Sequence, residues 1–252
     1  MRECIPTEIF LKIRYCELIT RTNKKMQTLA PETGFLFAGI CYIGWWVLCG
    51  KVISNGWFST RAGKGSLRFV LFKRSLAVLL FFLLPWLFLH FTHQNFLDWL
   101  SLRNAHNTAI VSVALSIPLI IISLITGRRP ENLLLYPEIR IEQWNGKLIQ
   151  LSALSWIAYL FAYEFLFRGC MFFLLLSKYN LPLALTVNIV VYSFAHFPKN
   201  LRETLAAIPF GAVLCWACSF TGNIWPAVIA HIVLALSNEW IALHAVTKHQ
   251  QL

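Results

Sequence analysis

Acidic side chains are scarce in this sequence: 11 Asp+Glu stand against 22 Lys+Arg, and charged residues of both signs fill only 13% of its 252 positions. With 58% hydrophobic residues and a mean hydropathy of +0.61, so little charge excludes a water-soluble domain, whose surface needs far more. The first 33 residues are polar and basic and lack the short apolar core and small-residue cleavage site of a signal peptide. Neither a repeat of fixed period nor a low-complexity linker divides the chain. A disulfide framework is missing as well, because seven cysteines is an odd count and Cys41, Cys49, Cys170, Cys215 and Cys218 fall inside apolar runs. Cys215 and Cys218 have CxxC spacing, but no second thiol pair accompanies them, so they read as small apolar helix residues.

What is present is a succession of apolar runs, at about 34–54, 72–92, 108–126, 150–177, 181–197, 203–220 and 224–246. Most approach the ~20 residues that a helix needs to cross a bilayer. The expectation is an all-α, polytopic helical bundle in a membrane, with about seven spans. The fourth run is too long for one upright span and is expected to tilt, break or extend beyond the bilayer. The chain divides into a polar basic segment (1–33), N-terminal membrane helices (34–126), a cytoplasmic loop (127–149) and a C-terminal group of helices (150–246). The N-terminal group holds no candidate chemistry on this reading.

Lys and Arg alternate between the short loops: six from Lys51 to Arg74, one in 93–107, four in 127–149, then Lys178, then Lys199 with Arg202. This bias places 51–74, 127–149, 198–202 and the C-terminus in the cytoplasm. Six basic residues before the first run break the pattern. Either that run does not cross fully, or the native start is Met26. The net charge of +11 suits anionic lipid headgroups and argues for no nucleic-acid partner. Ten Trp and seven Tyr, several at run ends, fit an interfacial aromatic belt.

Ionisable side chains within apolar runs are costly and so mark function. Glu164 and Arg168 lie four apart, on one helical face with the anion N-terminal, which is the favoured order for an ion pair. His196 ends the fifth run, with Tyr192 one turn before it, and His231 lies inside the seventh. Each feature alone also fits a structural salt bridge or a packed histidine. Together they can line one polar cavity, where a carboxylate and an imidazole polarise water and a second imidazole steadies an oxyanion. The same set can also serve as a proton relay in a transporter, although no matched halves with interrupted helices are evident. Two His and a Glu are a zinc-type set, but no HExxH spacing puts two ligands on one turn. No cofactor is expected, and a divalent metal is not favoured.

These residues resemble the CPBP intramembrane proteases, a family that includes the type-2 CAAX prenyl proteases and bacterial bacteriocin-processing and immunity proteins. The family carries a Glu-Glu pair with Arg four residues beyond its second Glu, then Phe with His four residues on, then His with Asn or Asp four residues on. Glu164 with Arg168, His196 and His231 keep that order, and Phe167-Arg168-Gly169, Glu203, Gly211 and Pro226 also look like the bacterial branch. The resemblance covers roughly residues 130–245. It implies an intramembrane endopeptidase that acts on a membrane-associated peptide or protein from within the bilayer, here a bacterial inner membrane. On that analogy Glu164 and His196 activate water, Arg168 orients Glu164, and His231 stabilises the oxyanion.

Three positions depart from the family pattern. Tyr163 stands where the first Glu would be, Tyr192 replaces the Phe of the second motif, and Ala235 stands where the oxyanion Asn would be. A phenol titrating near 10 is a poor base at neutral pH, so the family mechanism does not carry over unaltered. Glu164 can itself be the base, or Glu203 can supply the second carboxylate, a position that also suits a helix-start charge beside Arg202. Asn238 shares a face with His231 but lies two turns away, about 10 Å by helix rise. A catalytically silent relative that binds a membrane peptide or scaffolds a partner is the alternative reading.

Overall fold

The computed structural model describes residues 30–54, 65–92, 94, 96–102, 104–197 and 201–249. The basic segment before residue 30 with the alternative start at Met26, the 55–64 part of the first basic loop, and Pro198 with Lys199 lie outside the described residues. Helix accounts for nearly all of what is described, and no strand occurs among those residues. The elements are α1 (Pro31–Ser54), α2 (Leu67–Val78), a π-wound stretch (Leu79–Leu83), α3 (Leu84–Phe91), α4 (Leu97–Leu100), α5 (Ala105–Thr126), α6 (Pro130–Leu133) and α7 (Gly146–Glu164). A second π-wound stretch (Phe165–Phe173), α8 (Leu174–Lys178), α9 (Leu181–His196), α10 (Leu201–Thr221) and α11 (Trp225–His249) follow.

Among the described residues, five helical segments are long and apolar enough to cross a membrane: Glu32–Lys51, Ala105–Thr126, Gly146–Lys178, Leu201–Thr221 and Trp225–Val246. The all-α membrane bundle expected from the sequence therefore stands; five of its about seven expected spans meet that length among the described residues. The run at 72–92 forms three consecutive helical pieces, and α9 has only 16 residues. Helix starts follow local chemistry. Asn145 and Asn180 each accept a backbone N–H of the first turn, from Leu148 and Leu183, both at 3.0 Å, which satisfies donors that a helix leaves open. The turn from α10 to α11 passes through Gly222 at φ 74°, a left-handed conformation that glycine adopts without a side-chain clash.

The long fourth run is continuous helix over 33 residues, Gly146–Lys178, and forms the axis of the molecule. It neither breaks nor leaves the bundle; it widens into the π-wound stretch, where every residue from Phe165 to Phe173 is buried. Phe165, Phe167 and Phe172 are fully enclosed. Around this axis α9 packs on α10, α11 on α5 and α7, and α2 on α7. The Phe167 carbonyl within the widened stretch accepts the Asn188 side-chain amide of α9 at 2.7 Å, and the other end of that amide accepts the Cys215 thiol of α10 at 3.0 Å.

A buried ionic cluster joins the two halves of the chain. Arg74, read from the sequence as a cytoplasmic loop charge, instead sits on α2 with 1% of its surface exposed. Its guanidinium donates to Ser152 O at 3.1 Å, Ser155 Oγ at 2.6 Å and Glu138 Oε2 at 2.7 Å, and lies over the Trp156 ring at 3.9 Å. Lys73 also pairs with Glu138. Glu239 of α11 accepts the Glu138 backbone N–H and the Ser152 hydroxyl, both at 3.1 Å. The N-terminal half thus carries a polar anchor that the sequence reading did not credit it with. Burial alone would push the Glu138 carboxyl up, but the Lys73 and Arg74 cations outweigh it and hold Glu138 down at about 2.

Candidate active site

Glu164 ends α7 at the point where the winding widens, and its side chain is completely buried. A carboxylate in that setting needs partners. One oxygen lies 2.6 Å from His231 Nδ1 and the other 3.1 Å from Arg168 Nη1. Arg168 is equally enclosed, and its guanidinium lies 4.1 Å from the centre of the Tyr192 ring, an arrangement in which the aromatic face supplements the carboxylate. The structure therefore brings Glu164, Arg168 and His231 into direct contact, from one long helix and the first third of α11.

The carboxylate that the family analogy pairs with His196 is held instead by His231. His196, at the end of α9, has its Nδ1 2.9 Å from the Tyr192 carbonyl one turn back. A carbonyl only accepts, so Nδ1 carries the proton and Nε2 is the atom through which the neutral ring accepts. Tyr163 lies between the two imidazoles: its ring centre is 5.6 Å from that of His231 and 6.3 Å from that of His196, each edge to face. The residue that replaces the family carboxylate thus occupies the middle of the site. Tyr163 also packs on Phe167 at 4.4 Å and Phe81 at 6.2 Å, which makes it a wall of the core too.

Tyr192, the substitution for Phe in the second motif, touches nearly every member of the set. Its ring meets His196 at 4.6 Å, Phe167 at 5.6 Å and the Arg168 guanidinium. Gly211 of α10 makes room for it: a Cβ there would stand 2.9 Å from the Tyr192 ring. Phe210 closes the other side of His231 at 5.7 Å. His231 keeps 12% of its side-chain surface open, whereas Glu164 is fully enclosed.

The remaining sequence candidates have other contacts. Asn238 donates to the Leu234 carbonyl at 2.9 Å, within its own helix, and so is turned to local use rather than toward His231. Ala235 packs with Trp156 and Leu160 on α7. Glu203 is half-buried at the start of α10, and its charge acts on Tyr136. Burial first, then the negative charges of Glu203, Glu138 and Glu239, raise the Tyr136 phenol. No group of three or more His, Cys, Asp and Glu side chains stands at metal-holding spacing among the described residues.

Sequence reasoning missed Asn188, Arg74, Glu138 and Glu239. Three of them had a readable signal: Asn188, Arg74 and Glu239 are polar residues inside apolar runs. Glu138 had none, since a loop carboxylate is ordinarily solvated.

Residues 145–237 match the family model described as Type II CAAX prenyl endopeptidase Rce1-like. That segment contains Glu164, Arg168, His196 and His231, and the match bears out the family resemblance carried by their order. No curated protein and no solved structure matches the chain.

Proposed function

We propose that this chain, Rce1-like over residues 145–237, is an intramembrane endopeptidase of the CAAX-protease type whose water-activating pair is Glu164 with His231. The observation that carries the reading is the 2.6 Å contact between Glu164 Oε1 and His231 Nδ1. An ionised carboxylate only accepts, so it fixes the imidazole proton on Nδ1 and leaves Nε2 as the base. His231 then takes a proton from water as that water attacks the scissile carbonyl, Glu164 stabilises the imidazolium that forms, and the imidazolium returns the proton to the leaving nitrogen as the C–N bond breaks. Arg168, 3.1 Å from the other oxygen, holds the Glu164 carboxylate in place. The Tyr163 hydroxyl and the protonated form of His196 are donors of the kind that stabilises a developing oxyanion. The substrate is a membrane-associated peptide or protein segment that enters from the bilayer, and the likeness of the motifs to the bacterial branch supports an inner membrane as its setting.

One observation favours the second reading, a catalytically silent relative that binds a membrane peptide. Tyr163 takes the place of a carboxylate between the two imidazoles, and Glu164 has both oxygens engaged. Co-expression with candidate membrane peptides, prenylated and unprenylated, separates the two. The peptidase reading expects cleavage that is lost in Glu164→Gln and His231→Ala at normal accumulation and lowered in His196→Ala. Tyr163→Phe divides the chemistry further, since loss of cleavage there makes the phenol an oxyanion donor. A wild type that cleaves none of them, and whose deletion phenotype is still complemented by Glu164→Gln, sinks the peptidase and leaves the binding protein.

A further inference from the structure

Where α5 and α11 end, on the same side of the bundle, they leave a cleft of about 300 Å³ lined by Leu124, Arg128, Trp240, Ile241 and His244. We propose that this cleft binds the phosphate of an anionic phospholipid headgroup, independently of the peptidase site.

Its position is that of a membrane boundary. The α5 span ends at Thr126 and the α11 span at Val246, so Arg128 and His244 lie within two residues of where each apolar stretch stops. Gly127 lets the two ends approach: a Cβ there would stand 2.7 Å from an Ile241 methyl. Ile241 thereby floors the cleft, and the side chains on either side of it form the walls.

The lining divides by chemistry. Arg128 offers a planar fork of donors that matches two phosphate oxygens, and His244 adds a polar imidazole to the lining. No acidic side chain lines the cleft, and Arg128 forms no ion pair with a carboxylate among the described residues. Trp240 is 49% exposed, a ring with an apolar body and one N–H of the kind that sits at headgroup level. Below it, exposed Leu124, Ile121 and Ile117 follow one another down a single face of α5, a track for an acyl chain. The volume is at the low end for ligand pockets, which run from roughly 300 to 1,000 Å³, so it suits a headgroup whose chains stay in the bilayer. Basic pockets between membrane helices hold anionic headgroups in this way.

The test is the thermal unfolding midpoint of the full chain in neutral detergent, titrated in parallel with phosphatidylglycerol, phosphatidylcholine and inorganic phosphate. Phosphatidylglycerol should raise the midpoint saturably and phosphatidylcholine should not. Arg128→Gln should weaken the apparent affinity roughly fivefold, the effect of one cation at such a surface. Arg128→Lys should retain part of it, and Arg202→Gln, an exposed cation on another helix, should leave it unchanged. Equal stabilisation by phosphatidylcholine, or an undiminished response in the Arg128→Gln/His244→Leu double variant, overturns the site. Full stabilisation by inorganic phosphate alone overturns the lipid as its occupant.

Discussion

Replacing Arg168 by Met tests whether the carboxylate at the centre of the molecule depends on its cation. Both side chains of the pair are fully buried and their charged atoms are 3.1 Å apart. At an effective dielectric near 20 their attraction is roughly 5 kcal/mol, most of it offset in the intact protein by the cost of taking two charges out of water. Removing only the cation leaves that cost on Glu164 unrelieved, and broken buried pairs typically lose about 3–5 kcal/mol. Glu164 keeps one partner, because the His231 Nδ1–H remains against Oε1, so the expected loss is at the low end, about 3 kcal/mol. Glu164→Gln in the Arg168→Met background removes the stranded charge and should recover most of it, to within about 1 kcal/mol of the wild type. Reversible unfolding in mixed micelles measures all four corners of this cycle. An Arg168→Met variant as stable as the wild type, or a double variant no better than the single, refutes the argument that the two residues are electrostatically interdependent.

Three other perturbations follow from the same geometry. Asn188→Leu strands the Phe167 carbonyl and the Cys215 thiol in an enclosed site; a loss of about 2–3 kcal/mol is expected in the same unfolding assay, and no loss means the amide is idle. Gly211→Ala puts a methyl 2.9 Å from a Tyr192 ring already wedged against Arg168 and His196, so cleavage should fall more than accumulation, whereas a fully active variant contradicts the close approach. Because Glu138 is held at about 2 against an ordinary 4.5, its contribution to stability is fully present above about pH 4.5 and is lost as pH falls toward 2. Glu138→Gln should flatten the stability profile across that window, and an unchanged profile means the pairing with Lys73 and Arg74 adds nothing.

Most of the fold was legible because apolar length alone marks a helix that can cross a bilayer. The runs at 34–54, 108–126, 203–220 and 224–246 correspond to α1, α5, α10 and α11 within a few residues, and the overlong run at 150–177 is the continuous axial helix. Glu164 and Arg168 stood out because charge is rare in such runs. That Glu164 meets His231 was not legible: the two are 67 positions apart, and no local pattern encodes the rotation of one helix against another. The π-wound stretch left no trace either, since a segment buried on every side presents no solvent face whose spacing could shift. Arg74 was misassigned because it sits at the edge of a basic loop, where a positive charge looks solvated. Its burial depends on Glu138, far along the chain.

The brevity of α9 bears on a question that any hydrolysis inside a bilayer must meet, namely where the water comes from. Sixteen residues rise about 24 Å, whereas the hydrocarbon layer is ~30 Å thick. His196 is the last residue of that helix, so the helix runs out about where the imidazole begins. Lipids beside a short element must thin to match it, or polar groups and water must reach down to its end. Either adjustment lowers the aqueous boundary toward His196 on that flank alone, leaving the far side of the bundle under full membrane thickness. Helix length then sets how far water descends and from which side a membrane-embedded segment can meet it.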